Sequence, residues 1–207
     1  MIFLHSTFLN EFGTYLELGF SHILDIQGYD HILFIITLCA IYQFREWKKI
    51  LVLVTAFTIG HSVTLALAAL NLILIPQGVI DVLIPTTIFL TAVHNIRQRD
   101  LLKGSRLFDS KQAFNYSMAL FFGLIHGMGF SNYFKFLLGE ENSIVNQLFA
   151  FNVGLELGQI IVVASFMALL FAFTRFFQAQ HREWNLVISG AGAGIALTII
   201  IDTLFAV

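Results

Sequence analysis

An acid and an imidazole stand side by side at Asp30 and His31, within Gly28-Tyr-Asp-His-Ile-Leu-Phe34. They open a hydrophobic run from Ile32 to Ile41. Later apolar runs each hold an isolated polar residue. His61 lies in Thr58-Ile-Gly-His-Ser-Val-Thr64, His126 in Gly123-Leu-Ile-His-Gly-Met-Gly-Phe130, and Glu156 in Phe151-Asn-Val-Gly-Leu-Glu-Leu-Gly-Gln159. An ionisable group at membrane depth costs about 2.5–3.5 kcal/mol on insertion scales, so such residues need a reason. Imidazole with carboxylate, without thiolate, suits divalent nickel, cobalt, zinc or copper. A bound dication also lowers the cost of burying the carboxylates. Asp30, His31, His61, His126 and Glu156 are therefore the candidate metal ligands.

A wider polar path is expected from His22, Asp81, His94, Asn152 and Gln159. Asn152, Glu156 and Gln159 follow i, i+4, i+7 and share one helix face. Plainer readings compete. His94 near a loop reads as an interfacial hydrogen-bonder, and Asp81 at a helix start as a cap. His5 and His22 read as surface residues, His181 as a solvated loop residue, and Asp202 as interfacial. Glu156, in mid-span, resists any such reading.

The elements that must position these groups follow from composition. The chain has 207 residues, 57% hydrophobic and 12% charged. A soluble domain carries about 25% charged residues. The expected fold class is an all-α polytopic membrane protein, a single transmembrane helical domain over 1–207. A net charge of −2 points away from nucleic acid. The single cysteine, Cys39, excludes an intrachain disulfide and a Cys-cluster metal site. No Lys or Arg precedes Arg45, so the basic region of a signal peptide is missing.

A span needs about 20 apolar residues. About six transmembrane helices are expected, near 29–44, 50–74, 78–96, 112–138, 146–174 and 184–206. Residues 1–27, with Glu11 and Glu17, are expected to form an interfacial, re-entrant or seventh helix. Pro85 predicts a kink in the third span, and Gly127 with Gly129 in the fourth. Gly154 and Gly158 predict close helix packing. No internal repeat is visible. Arg45, Lys48, Lys49, Arg97, Arg99, Lys103, Arg106, Lys111, Arg175 and Arg182 fall in three alternate loops, and only Lys135 lies opposite, beside Glu140 and Glu141. The positive-inside rule then puts the loops near 45–49, 97–111 and 175–183 in the cytoplasm. Asp30, His31 and Asp81 are expected near the outer surface, leading to a middle group of His61, His126 and Glu156.

Taken together, His22…Gly28-Tyr-Asp-His-Ile-Leu-Phe34, Phe57-Thr-Ile-Gly-His-Ser-Val-Thr-Leu65, Asp81 through Asn95, Phe122-Gly-Leu-Ile-His-Gly-Met-Gly-Phe130 and Phe151-Asn-Val-Gly-Leu-Glu-Leu-Gly-Gln159 resemble the HupE/UreJ family, in its shorter second branch. The resemblance implies a helical-bundle permease for nickel or cobalt, serving metalloenzymes, and carries functional candidates to Asp30, His31, His61, His126 and Glu156. The expected location is the cytoplasmic (inner) membrane of a bacterium, with membrane lipids and a metal ion as the partners. His22 departs from the family by a longer spacing to Asp30-His31, and Asp81 stands where the family has Glu. Two readings of the function follow. One is a permease for nickel or cobalt, with zinc or copper next, through an intramembrane His/carboxylate site. The other is an intramembrane zinc-dependent hydrolase acting on a lipid or amide, with Glu156 or Asp30 as base. An accessory protein, its polar residues serving only the bundle, is the plainest reading.

Overall fold

The first apolar run is too short to be the span it resembles. In the computed structural model, which describes residues 2–98, 106–138, 144–178 and 180–205 and the side chains from residue 11 onward, the described residues form seven α-helices and no strand. They are α1 (Ile2–Leu24), α2 (Asp30–Cys39), α3 (Trp47–Ala69), α4 (Gln77–Arg97), α5 (Ser110–Leu138), α6 (Val145–Phe177) and α7 (His181–Phe205), with a 3₁₀ turn at Phe44–Glu46. His5, Arg99, Lys103, Glu140 and Glu141 fall outside the described side chains. The helix expected over 29–44 is α2, 10 residues long, about 15 Å at 1.5 Å per residue. That is half a bilayer core of about 30 Å. The segments containing α3, α4, α6 and α7 are long and apolar enough to cross a membrane.

The described part of the N-terminal helix from residue 12 to Leu24 packs on the bundle. From residue 12 onward α1 runs parallel to α6: Phe12 meets Phe149, and Leu16, Phe20 and Ile23 meet Gly154 and Gly158. Its Tyr15 hydroxyl donates to the Leu137 carbonyl near the end of α5 (3.2 Å). After Leu24 the helix stops. Asp25 accepts the Gln27 N–H in a tight turn (2.8 Å). The chain then resumes as α2 and ends among Gln112, Asn115 and His181. Thus α1 and α2 form one broken passage along the bundle, and the break at residues 25–29 falls partway along it, with its side chains exposed. The basic ends of the other helices gather where α2 finishes; His181 reaches the Ile41 carbonyl (3.1 Å) instead of lying free in a loop.

Glycines set the packing. A methyl group added at Gly19 would overlap the Phe151 carbonyl, and one at Gly154 the Leu16 carbonyl. In α3 and α5 the same pattern returns: Gly60 against the Leu120 carbonyl, and Gly123 against the Phe57 carbonyl. Only helices whose backbones touch make such contacts. Within each pair the two helices run parallel. The pairs run opposite to one another, because Phe44 of the turn before α3 meets Phe171 late in α6, and His61 of α3 meets Phe151 early in α6. The chain therefore carries an inverted structural repeat, α1/α6 and α3/α5. The glycines expected to kink α5 also meet neighbouring helices: Gly127 faces the His61 backbone, and Gly129 faces Ile84.

Candidate metal centre

The broken passage delivers its two ends to one place. His22 sits in the last turn of α1 and His31 in the first turn of α2. Their rings lie 4.6 Å apart between centroids. His61, halfway along α3, lies 5.8 Å from His22 and 5.7 Å from His31. One ring nitrogen from each of His22, His31 and His61 falls within 4.8 Å of the others. The His126 ring, from α5, lies 5.1 Å from that of His31. Phe34, Phe57, Phe130 and Phe151 wall the cluster.

Burial makes this arrangement costly unless something is bound. His61 and His126 are wholly buried, and His31 is 4% exposed. Five of the eight ring nitrogens in the cluster are buried without a hydrogen-bond partner among the described residues: His22 Nε2, His31 Nε2, His126 Nδ1 and both nitrogens of His61. A buried polar atom left unpaired costs about 1–3 kcal/mol. Metal–nitrogen bonds of about 2.0–2.1 Å put donors on one ion at most about 4 Å apart. The triad is therefore close to ligating distance, and a small contraction would close it. The carbonyl end of α1, beside His22, adds partial negative charge that favours a cation.

Asp30, an expected ligand, lies against His31. Its Oδ1 accepts the backbone N–H of His31 (2.8 Å) and lies 3.1 Å from His31 Nδ1. Its side chain is 32% exposed, at the rim of the cluster. The expected division into an outer Asp30-His31 group and a middle His61-His126 group gives way to a single cluster. The cause is the break: α1 ends and α2 begins beside α3, so His31 meets His22 and His61 while Asp30 stays at the rim.

Three of the expected residues lie elsewhere. Glu156 faces α3, where its Oε1 accepts from Thr55 Oγ1 (2.6 Å). Asp81 is exposed and accepts from Gln77 Nε2 (2.8 Å). His94 lies at the basic end, 3.1 Å from Asn115 Oδ1 and against Gln98. Gln159 accepts from Thr58 Oγ1 (2.8 Å) and keeps a buried amide nitrogen without a partner. The buried Asn152 Oδ1 also has none. So α6 presents Glu156 and Gln159 to α3, and Glu156 does not join the close triad of histidines.

Between the cluster and the basic end, several polar groups are paired with one another, while the buried Thr37 Oγ1 has no partner among the described residues. The Tyr42 hydroxyl donates to Gln112 Oε1 (3.0 Å) and accepts from Asn115 Nδ2 (3.1 Å). Asn95 Nδ2 donates to the Thr37 carbonyl (2.6 Å), and Asn185 Nδ2 to the Asn95 carbonyl (3.0 Å).

His22, expected on the wider polar path, lies in the cluster itself, because its place one turn before the Gly28 turn carries it to His31. One contributor escaped the sequence reading. Thr87, on α4, gave no signal beyond being a hydroxyl in an apolar helix; its Oγ1 lies 3.0 Å from His126 Nε2.

A helical bundle with a buried histidine cluster at a helix break, most of its ring nitrogens unpartnered among the described residues, has the form of a membrane protein that handles a cation. The chain matches the family described as HupE / UreJ protein over residues 1–205, and it belongs to that family. Membership ties it to nickel- or cobalt-related transport. No curated protein and no solved structure matches it.

Proposed function

We propose that the protein is a permease for a divalent transition-metal ion, nickel or cobalt first, held in transit by the buried histidines. The observation that carries this reading is the set of unpartnered ring nitrogens on His22, His31, His61 and His126. The chain would cross a bacterial cytoplasmic membrane six times, with α1 and α2 sharing the first crossing. The ion would enter from the end opposite the basic loops, past the partly exposed Asp30. The paired groups around Tyr42, Asn115 and His94 close the route to the basic end, which the positive-inside rule assigns to the cytoplasm. The cluster lies between two inverted helix pairs, the place where transporters built from such repeats bind their cargo.

The compactness of the cluster favours a second reading, the intramembrane zinc hydrolase. Against it, neither proposed base is free: Glu156 is bonded to Thr55, and Asp30 to His31.

The test is flux. Protein reconstituted in vesicles containing a metal-quenched fluorophore should admit nickel or cobalt saturably, and His61→Phe should abolish entry. Absence of flux, together with about one zinc per chain retained through purification, would replace the permease with the hydrolase.

A further inference from the structure

Thr87 of α4 lies against His126, and its hydroxyl hydrogen is engaged by its own helix. Its Oγ1 donates to the Ile84 carbonyl at 2.7 Å. A hydroxyl has one hydrogen to give. Toward His126 Nε2, 3.0 Å away, the same oxygen can therefore only accept. His126 must carry its proton on Nε2, which leaves Nδ1 as a bare lone pair. That Nδ1 is buried and has no partner among the described residues. Asp30 acts on His31 in the same manner. An ionised carboxylate only accepts, so His31 Nδ1 is the protonated nitrogen and the unpartnered Nε2 is bare. Two histidines on different helices are thus set from behind, each with its lone pair unclaimed.

We propose that Thr87 is a positioning residue that presents His126 Nδ1 as a fourth nitrogen donor beside His22, His31 and His61. Asp30 then stays outside the coordination sphere as the partner of His31. The site is an all-imidazole one, suited to borderline divalent transition metals and poorly suited to magnesium or calcium, which take oxygen donors. The inference rests on the cluster being a metal site. His126 starts outside the triad of mutually close nitrogens, so its recruitment is a movement on binding. A partner that fixes the ring's tautomer governs how readily that happens.

The experiment is titration of the purified full-length protein with cobalt(II), following visible absorption and affinity. Thr87→Val keeps the bulk and removes the acceptor. Its affinity should fall about 10–100-fold, the usual cost of losing a partner behind a metal-binding histidine. Its spectrum should move to that of His126→Ala, and Thr87→Ser should restore both. The double variant Thr87→Val/His126→Ala should bind no more weakly than His126→Ala. A Thr87→Val protein with wild-type spectrum and affinity overturns the proposal while leaving the metal site intact. Wild-type protein that binds no cobalt overturns both.

Discussion

The two glycine-knit helix pairs share a backbone and differ in what they carry. Leu16, Gly19 and Phe20 of α1 meet Gly154 of α6 and its neighbours as Phe57, Gly60 and His61 of α3 meet Gly123 of α5 and its neighbours. Where the first pair has Phe20, the second has His61. Where α6 has Leu157 before Gly158, α5 has His126 before Gly127. The first pair supplies His22 instead, one position where α3 has Val63. Moreover α1 ends after Leu24, whereas α3 continues to Ala69. The frame is symmetric and the chemistry is not. Glycine determines where the helices meet, and the break in one copy brings in His31, with Asp30 behind it.

The largest effects should come from the shared part. Gly19→Ala and Gly60→Ala each force a methyl into a backbone carbonyl of the partner helix. Overpacking a core costs about 1–3 kcal/mol where side chains can move, and backbone cannot move as readily. Both variants should lose most folded, monodisperse protein in detergent, and to a similar extent. Sensitivity confined to one pair would break the equivalence of the knits.

Next is the exchange that the comparison itself suggests, His61→Phe, which installs the residue of the equivalent position, Phe20. It removes two buried unpartnered nitrogens, each costing about 1–3 kcal/mol when nothing is bound. Metal-free stability should rise, and cobalt binding should be lost. A drop in metal-free stability would mean that His61 has a structural partner.

A smaller contrast separates the second glycines. A methyl at Gly127 would lie 2.6 Å from the His61 carbonyl oxygen; one at Gly158 would come no nearer than 3.1 Å to Ile23 and the Phe20 carbonyl. Gly127→Ala should therefore lower the melting temperature clearly, and Gly158→Ala by little. Equal shifts would show that the two pairs open equally at this level.

Much of this was legible in the chain, and the rest was hidden for identifiable reasons. Apolar runs marked α3 to α7 because each is long enough to be bounded by its own loops. The turn at Gly28 was legible too, but a turn signal says where a helix stops and not how deep it lies. Depth came from α1 packing along α6, a contact between residues far apart in sequence. The repeat escaped notice because one pair is nested inside the other in the chain, and the two share little beyond Gly19-Phe-Ser21 with Gly60-His-Ser62, and Gly123-Leu-Ile-His-Gly127 with Gly154-Leu-Glu-Leu-Gly158. Thr87 was illegible because a helical threonine bonding its own helix is ordinary; only the nearness of His126 gives its oxygen a further duty.

The smallest expected effect falls on the residue whose chemistry looked strongest in the sequence. Glu156 is a carboxylate in the middle of an apolar helix, which argues for a ligand. In the bundle it lies at the seam between the two pairs, half-buried, with Thr55 donating to it. Glu156→Gln keeps an acceptor oxygen for Thr55 and removes the charge. If the cage is made of imidazole alone, cobalt affinity should stay within about twofold, a change of about 0.5 kcal/mol, the range of substitutions away from a critical contact. Flux is the sharper readout. Unchanged binding with unchanged flux makes Glu156 a seam residue, present because Thr55 satisfies it. Unchanged binding with slowed flux would place it where the two pairs must separate, and would make the seam part of the ion's route. A large loss of affinity would return Glu156 to the coordination sphere and undo the contrast between a seam and a cage.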